Sequence, residues 1–419
     1  MTFRIAARAA LSYSSFRRFQ FARFVAVTSA EMQSVAVGWQ LYELTHRPLD
    51  LGLAGLVQFL PGLLLVPWTG RAADRFRRER IVRWCQLAAL FGNLALLLLS
   101  ATGLATPTRL YVVLLLSGIV RAFMGPAGQA LVPLLVEKPH FPNAVAWGSS
   151  IFQAATILGP IAGGLIYAAM HSAGSVYLTA ACGFAISSFT MSYVRPKLEQ
   201  APSGGRGLAE LLAGFRCVYQ HRVILGAMSL DLFAVLLGGA VALLPIYAKE
   251  ILHVGPWGFG LMRSAPGVGA VAVALLVAFF PLSRRTGPIM LSCVAAFGLA
   301  TVVFGLSRNL PLSLLSLFLV GATDMISVIV RGTVVQLSTP DSMRGRVSSV
   351  NMLFIGASNE LGQFESGALA QWLGVVPAVL LGGIGSILVV GLWAWLFPEL
   401  RRIDRMTDVM PQPDPIPVR

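Results

Sequence analysis

The sequence predicts an all-α integral membrane protein with twelve transmembrane helices in two six-helix pseudo-repeats. The 419-residue chain is 56% hydrophobic and only 12% charged, and its mean hydropathy is +0.74, far above that of a soluble chain. Its apolar runs reach the roughly 20 residues that a helix needs to cross a bilayer, and they lack the alternation of β-barrel strands. Short polar or charged segments separate the runs, so each run is interpreted as one span.

The orientation is predicted from the segment Gly70 to Arg80, which holds five arginines and two acids between two apolar runs. A segment of this charge cannot lie in hydrocarbon, and clustered arginines favour the cytoplasmic face. With both termini in the cytoplasm, only four of the 32 lysines and arginines face outward and four fall within spans. We therefore interpret the net charge of +14 as positive-inside topology and not as a nucleic-acid surface.

The first half of the chain holds six predicted spans. They lie near residues 21–44, 50–70, 81–104, 109–136, 143–170 and 174–194. A basic N-terminal stretch is expected to lie along the cytoplasmic surface before them, and it lacks the apolar core and cleavage site of a signal peptide. The four cysteines have neither metal-ligand nor redox spacing and are interpreted as packing residues.

A change of composition at residues 195–222 divides the chain. Proline, glycine and serine are followed there by an amphipathic helix through Leu208 and Phe215, which indicates a cytoplasmic linker. Six more spans are predicted near 223–250, 258–282, 288–307, 311–338, 346–373 and 376–397. The predicted domains are therefore 1–194, the linker 195–222, 223–397 and a cytoplasmic tail 398–419. Pro61-Gly62 recurs as Pro266-Gly267, which favours two parallel repeats with a central site.

Three motifs occur in the first half. They are Gly70-x-x-x-Asp74-Arg75-x-x-Arg78, Arg121-x-x-x-Gly125 and Gly159-Pro160-x-x-Gly163-Gly164. In that order they resemble the loop motif after span two, the arginine motif of span four and the span-five antiporter motif of the major facilitator superfamily. The loop motif departs from the family pattern at Ala72 and Arg77, and further glycines of the antiporter motif are replaced by Gln153 and Ile157.

The second half extends the resemblance over nearly the whole chain. The segments Pro340-Asp341-Ser342-Met343-Arg344-Gly345-Arg346-Val347 and Ser358-Asn359-Glu360-Leu361-Gly362 are similar to a bacterial exporter branch that includes the enterobactin exporter. The resemblance implies secondary transport by alternating access across the bacterial inner membrane. It also implies a role for Arg121 in proton coupling.

Ionisable residues inside the predicted spans are the candidates for proton coupling or for lining a substrate cavity. Such residues are costly in a bilayer unless they are paired or hydrated, so they tend to face a partner or a polar cavity. The candidates are Glu31, Arg121, Asp231, Arg263, Asp324, Arg331, Glu360 and Glu365. The interiors of spans three, six, nine and twelve contain none, and the resemblance implies that these are the outer helices.

The acids in these spans could act as proton switches. Burial raises the pKa of a carboxylate and a nearby arginine lowers it, so a carboxylate whose partner moves between states can bind and release a proton. Asp231 and Glu31 are the leading candidates, and for each the alternative is a fixed intramembrane contact. Glu360 and Glu365 lie about 140° apart around one helix, so one of them is expected to be structural.

Two further sets are predicted to shape conformational change. The gating set is Gly70, Asp74, Arg75, Arg78, Arg344 and Arg346. The resemblance implies that the loop lies against the cytoplasmic end of span eleven, where Asp74 could meet the basic turn or a helix N-terminus; the alternative is a loop that only anchors topology. The helix-bend set is Gly159, Pro160, Gly163 and Gly164, which would bend span five and let it pack closely on span eight, or form a passive kink.

Other classes of function are disfavoured. The sequence has no Walker-type phosphate loop, no nucleophile elbow and no paired zinc ligands, which argues against ATP-driven transport and hydrolytic chemistry. The five histidines all fall near loops and have no ligand spacing, so neither a metal nor a cofactor is expected.

The sequence therefore predicts a secondary transporter, and not an enzyme, that exports a small siderophore-, drug- or metabolite-like molecule in exchange for protons. Its expected partners are that small molecule, protons and membrane lipids, without nucleic acid, and the protein is expected to be a monomer. An importer or a lysophospholipid flippase of the same fold is the alternative within transport, because a fold does not fix direction. A membrane receptor or scaffold without transport activity is the alternative from another class.

Overall fold

A computed structural model describes residues 9–196, 208–280, 284–340 and 343–404, apart from the side chains of residues 66–67, 71, 73–74 and 208–211. All regular secondary structure within these ranges is helical. The N-terminal residues 1–8, the proline- and glycine-rich part of the predicted linker and the end of the predicted tail lie outside the described residues.

The helices of the first part of the chain follow the predicted order. They are α1 (Ser14–Thr45), α2 (Pro48–Leu64), α3 (Val66–Arg75), α4 (Arg78–Ala101), α5 (Pro107–Leu131), α6 (Phe141–Met170) and α7 (Ala173–Met191). Short 3-10 turns lie at Ala9–Ser12, Val132–Leu134 and Lys138–His140.

The second part begins with a short helix in the predicted linker. The helices are α8 (Leu208–Gln220), α9 (Arg222–Leu237), α10 (Gly255–Phe279), α11 (Thr286–Leu306), α12 (Leu310–Ser338), α13 (Arg344–Leu373), α14 (Val375–Leu396) and α15 (Pro398–Arg402). Three helical turns, Ala240–Leu243, Leu244–Ile246 and the π-helical Tyr247–Ile251, connect α9 to α10.

Local sequence signals explain where several of these helices begin and end. The side chains of Thr106, Ser172 and Asn309 accept hydrogen bonds from backbone N–H groups in the first turns of α5, α7 and α12. His46 and His171 adopt left-handed backbone conformations that end α1 and α6. These ends lie at the short connections that the hydropathy pattern predicts.

Nine helical segments among the described residues are long and apolar enough to cross a membrane. They are Arg78–Ala101, Pro107–Leu134, Lys138–Met170, Ala173–Met191, Arg222–Ile251, Gly255–Phe279, Thr286–Leu306, Leu310–Ser338 and Val375–Leu396. The helices α1 and α13 have 32 and 30 residues, but they carry more polar side chains than these nine segments and are not among them. The helix α2 is apolar but shorter. The number of twelve spans stays a prediction.

The segment 70–80 differs from the charged turn that the sequence predicts. A break at Leu65 separates α2 from α3, and α3 then continues through Gly70 and Asp74 to Arg75. Pro67 near the start of α3 favours a helix there because its backbone φ angle is already helical. Only Phe76 and Arg77 separate α3 from α4, so most of the motif is helical.

The chain divides into two compact units, each with its own core. The first unit comprises residues 1–46, 57–206 and 247–264, and the second comprises residues 47–56, 207–246 and 265–419. Buried side chains of α1, α4, α5 and α6 form a core in the first unit, and those of α9, α11, α12, α13 and α14 form one in the second. The predicted domain boundary at 195–222 stays a prediction.

Candidate functional site

A buried ion pair joins α9 to α12 in the second unit. Arg331 Nη1 contacts Asp231 Oδ2, and only 4% and 9% of the two side chains are exposed. Apolar neighbours on the same two helices, Leu230, Val330 and Val334, belong to the core of this unit. The opposite charges compensate each other in an environment where either one alone would be strongly disfavoured.

A second, more accessible ion pair joins α1 to α10 in the first unit. Arg263 Nη2 lies 3.5 Å from Glu31 Oε2, and 24% and 28% of the two side chains are exposed. The buried Arg263 Nε has no hydrogen-bond partner within the described part of the chain. The Glu31 carboxylate is therefore held loosely by its arginine and remains partly exposed, unlike that of Asp231.

The helix-bend motif packs directly behind Glu31. A Cβ atom added at Gly159 would lie 2.6 Å from the Glu31 Cβ, and one added at Gly163 would lie 2.9 Å from the Met32 Cα. Only glycine leaves room for α6 to approach α1 this closely. The lack of side chains at Gly159 and Gly163 thus lets the backbone of α6 lie against the face of α1 that carries Glu31.

The same motif also brings α6 against α10, which carries Arg263. A Cβ atom added at Gly164 would lie 2.6 Å from the Pro256 carbonyl oxygen, and one added at Gly260 would lie 2.4 Å from the Pro160 carbonyl oxygen. Ser264 Oγ donates a hydrogen bond of 2.7 Å to the Ile157 carbonyl. The α6 backbone thus contacts both helices that supply the Glu31–Arg263 pair.

The acids of α13 have separate partners. Gln363 Nε2 donates a hydrogen bond of 3.2 Å to Glu360 Oε2, and a Cβ atom added at Gly55 of α2 would lie 3.1 Å from the same oxygen. Glu365 instead accepts a hydrogen bond of 3.4 Å from the Ser366 hydroxyl. The two glutamates thus belong to different local environments on one helix.

The remaining candidate residues in the spans are Asp324 and Arg121. Asp324 is half-buried on α12, seven residues before Arg331 and therefore about two turns away. Arg121 is exposed on α5. The structure thus places two candidate pairs in two units and leaves Arg121 and Asp324 at other positions.

The arginines of the predicted gating set differ in their contacts. Arg78 is 8% exposed, and its Nη1 donates a hydrogen bond of 2.8 Å to the Ala130 carbonyl in the last turn of α5. Arg77, in contrast, is 60% exposed and pairs with Glu79 at 2.6 Å. Arg78 thus satisfies a carbonyl that a helix end would otherwise leave unpaired.

The other members of the gating set give no test of the predicted contact between Asp74 and the end of span eleven. The side chain of Asp74 is not among the described side chains. In the second unit, Arg344 Nε donates a hydrogen bond of 3.3 Å to the Gln336 carbonyl, and Arg346 Nη1 lies 3.3 Å from Met343 Sδ. A contact between Asp74 and the basic turn stays a prediction.

Sequence reasoning missed a polar group near the end of α1. Trp39 Nε1 and Tyr167 Oη donate hydrogen bonds of 2.7 and 2.8 Å to the two carboxylate oxygens of Glu43. Tyr42 Oη donates a hydrogen bond to Glu250 in the π-helical turn before α10. The four-residue spacing of Trp39 and Glu43 on one helix was a local signal for their contact.

A second missed group is buried between α1, α4 and α5. Asn93, only 1% exposed, donates a hydrogen bond of 3.0 Å from Nδ2 to Gln33 Oε1. Gln33 Nε2 in turn lies 3.4 Å from Ser117 Oγ. These residues carry no charge, so a search restricted to ionisable groups could not find them.

Comparison with known proteins decides the family. The family described as "Transmembrane secretion effector" matches residues 5–416. The chain belongs to this family of the major facilitator superfamily. It is 27% identical over 411 residues to the enterobactin exporter of Citrobacter koseri, covering 97% of this chain and 95% of that protein. It is 25% identical over 394 residues to the enterobactin exporter of Escherichia coli O81, covering 93% and 94%.

Solved structures with the same fold have little sequence identity. A bacterial homologue of the iron transporter ferroportin, in an inward-facing state, superposes with a TM-score of 0.69 at 18% identity, over 93% of this chain and 98% of that one. The nucleoside transporter NupG superposes with a TM-score of 0.68 at 14% identity, over 92% and 99%. The chain therefore has the fold of these transporters. Its family and its similarity to the exporters along nearly the whole chain make it a multi-pass membrane transporter of a small molecule.

Proposed function

We propose that this major facilitator protein exports a small organic molecule of the siderophore, drug or metabolite type in exchange for protons. The similarity to enterobactin exporters along nearly the whole chain supports export and a siderophore-like substrate. Transport proceeds by alternating access across the bacterial inner membrane, with both termini in the cytoplasm and one chain as the working unit.

The Glu31–Arg263 pair is the observation that carries the proton coupling. Its separation of 3.5 Å and its partial exposure make this carboxylate the one of the two leading acids that is less enclosed by protein. When α1 and α10 separate, the Glu31 carboxylate loses its positive partner and can carry a proton instead; when they approach again, Arg263 takes the place of that proton. Each transport cycle can therefore move a proton with the opening and closing of the protein.

The Asp231–Arg331 pair has a structural role in this proposal. Both side chains are almost fully buried beside apolar core residues of the second unit. Protonation of Asp231 would leave Arg331 charged and unpaired in that core, which is unfavourable at each turnover. Of the two leading acids from the sequence, Glu31 is therefore the proton carrier and Asp231 stabilises the contact between α9 and α12.

The proposal is tested with purified protein in vesicles, using enterobactin as the probe. An imposed pH gradient should drive enterobactin transport by the unmodified protein. Glu31→Gln should still exchange enterobactin between the two sides but should lose the response to the gradient, because glutamine cannot bind and release the coupled proton. Full gradient dependence in Glu31→Gln would refute the assignment of Glu31.

Glu43→Gln is the matched control. It removes a carboxylate from the same helix, and in the described part of the chain Glu43 accepts hydrogen bonds from Trp39 and Tyr167. We expect Glu43→Gln to keep the gradient response. Enterobactin binding without flux would favour a receptor, and gradient-independent movement of lysophospholipid alone would favour a flippase; either result would refute proton-coupled export of this probe.

A further inference from the structure

A small cavity lies beside the N-terminal end of α1 and is separate from the Glu31–Arg263 pair. Its volume is about 260 Å³, much larger than the roughly 30 Å³ of a water molecule in the liquid. Its lining residues are Leu11, Arg17, Gln20, Phe21, Phe24 and Ile151. Four of these six side chains are hydrocarbon. The other two are Gln20 and Arg17, which carries a positive charge and whose Nη1 donates hydrogen bonds to the carbonyl oxygens of Leu11 and Ser12.

Gln20 is the unusual member of this lining. The residue is only 2% exposed, and neither its Nε2 nor its Oε1 has a hydrogen-bond partner among the described residues. Leaving a buried amide unsatisfied costs on the order of 1–3 kcal/mol, so such groups normally have a partner. A ligand that reaches this amide through a small shift of the lining, and that offers both an acceptor and a donor, would satisfy it.

The charge around the cavity favours an anion. Arg17, Arg18 and Arg23 all lie in the first ten residues of α1, and the first acid on this helix is Glu31. The first turn of α1 contains no acid and has no side-chain cap, so the partial positive charge of its N-terminus is not compensated locally. Arginines at this end of a helix add to that charge instead of balancing it.

The shape of the lining favours an anion with an attached hydrocarbon chain. Phe21 is 52% exposed beside the cavity although it is a large apolar side chain, and Phe24 and Ile151 continue the apolar surface. A free inorganic anion would leave this surface uncovered. The predicted topology also places the N-terminal end of α1 at the cytoplasmic boundary of the membrane, where phospholipid headgroups lie.

We propose that this cavity is a binding site for one anionic phospholipid. The headgroup phosphate binds at Arg17 and the N-terminus of α1, the polar glycerol region meets the amide of Gln20, and acyl-chain methylenes cover Phe21, Phe24 and Ile151. The site holds a lipid and is independent of the transported substrate, so it does not depend on the proposed proton coupling.

The full-length protein, purified in detergent, is titrated with phosphatidylglycerol or with phosphatidylcholine carrying the same acyl chains. Native mass spectrometry counts retained lipids, and the melting temperature reports stabilisation. One retained phosphatidylglycerol and a rise in melting temperature are expected, with at least about fivefold weaker retention of phosphatidylcholine. Equal retention of the two lipids, or an equal stabilisation by inorganic phosphate alone, would overturn the proposal.

Variants then locate the site. Ile151→Trp fills the cavity without changing charge, and Gln20→Leu removes the buried amide; both should lose the retained lipid and its stabilisation. In the absence of lipid, Gln20→Leu should melt at or above the temperature of the unmodified protein, because it removes two unsatisfied polar atoms. Lipid retention at the unmodified level in both variants would refute this location.

Matched charge variants separate a specific site from general attraction. Arg17→Gln and Arg83→Gln remove the same charge, and Arg83 is exposed on α4 outside the cavity lining. Arg17→Gln should weaken retention about fivefold and Arg83→Gln should not. An equal loss in the two variants would indicate diffuse attraction to the basic surface and would overturn the proposal.

Discussion

Replacing Asp231 by asparagine tests whether the buried ion pair stabilises the second unit. The substitution keeps the size of the side chain but leaves Arg331 charged and without its carboxylate. Because the two side chains are only 9% and 4% exposed, water cannot readily replace the lost partner. Breaking such a pair costs about 3–5 kcal/mol, so the melting temperature should fall clearly.

The accessible pair provides the comparison of magnitude. Glu31→Gln leaves Arg263 with 24% of its side chain exposed and removes a contact of 3.5 Å. Water can solvate the remaining charge, so a cost of about 1 kcal/mol or less is expected. Asp231→Asn should therefore be much more destabilising than Glu31→Gln, although Glu31→Gln is the variant that should lose proton coupling.

A double variant separates the lost attraction from the cost of the remaining charge. Asp231→Leu combined with Arg331→Met removes both charges and fills the space with apolar atoms, so much of the stability lost in Asp231→Asn should return. Thermal unfolding of each purified variant in the same detergent measures the differences. A cost below about 1 kcal/mol for Asp231→Asn, or no recovery in the double variant, would refute the reasoning.

Two further predictions concern close packing and a helix end. Gly260→Val should separate α6 from α10, because its Cβ would lie 2.4 Å from the Pro160 carbonyl oxygen; we expect a loss of stability of about 1–3 kcal/mol and of most transport in vesicles. Arg78→Gln should lower the free energy of unfolding by about 1–3 kcal/mol, because it removes the 2.8 Å hydrogen bond to the last turn of α5; thermal unfolding measures this loss.

Each of these predictions has a matched control in the chain. Gly125→Ala adds a Cβ where no heavy atom lies within 4 Å, so it should be tolerated. Arg77→Gln removes an arginine that is 60% exposed, and the loss of its surface pair should cost less than about 1 kcal/mol. If Gly125→Ala lowers stability as much as Gly260→Val, close packing of α6 on α10 is not the cause of the loss. If Arg77→Gln lowers stability as much as Arg78→Gln, the hydrogen bond to the last turn of α5 is not the cause.

Much of the fold could be predicted because hydropathy is a local property of the chain. Apolar runs flanked by charge locate helices such as α4 and α14, and caps such as Ser172 mark helix starts. Hydropathy was less informative for α1, whose polar residues take part in contacts inside the first unit. The break at Leu65 between α2 and α3 was missed because it falls within an apolar run, which hydropathy alone assigns to one span.

The contacts of the candidate residues could not be predicted with the same ease. Glu31 and Arg263 are 232 residues apart, and each is simply an ionisable residue in an apolar helix until α1 and α10 meet. By sequence criteria alone, Asp231 could equally have paired with an arginine other than Arg331. Exposure also depends on packing, and it is the difference in exposure that assigns different roles to the two acids.

The sequence by itself determined that this protein is a helical membrane transporter of the major facilitator superfamily. Composition, the length of the apolar runs and a few short motifs contain that information, because the bilayer imposes the same local demands on every span. Only the tertiary structure decided which carboxylate is sealed, which is accessible and where an amide such as that of Gln20 is buried without a partner. Those properties arise when side chains from distant helices exclude water together, and no local pattern in one helix records them.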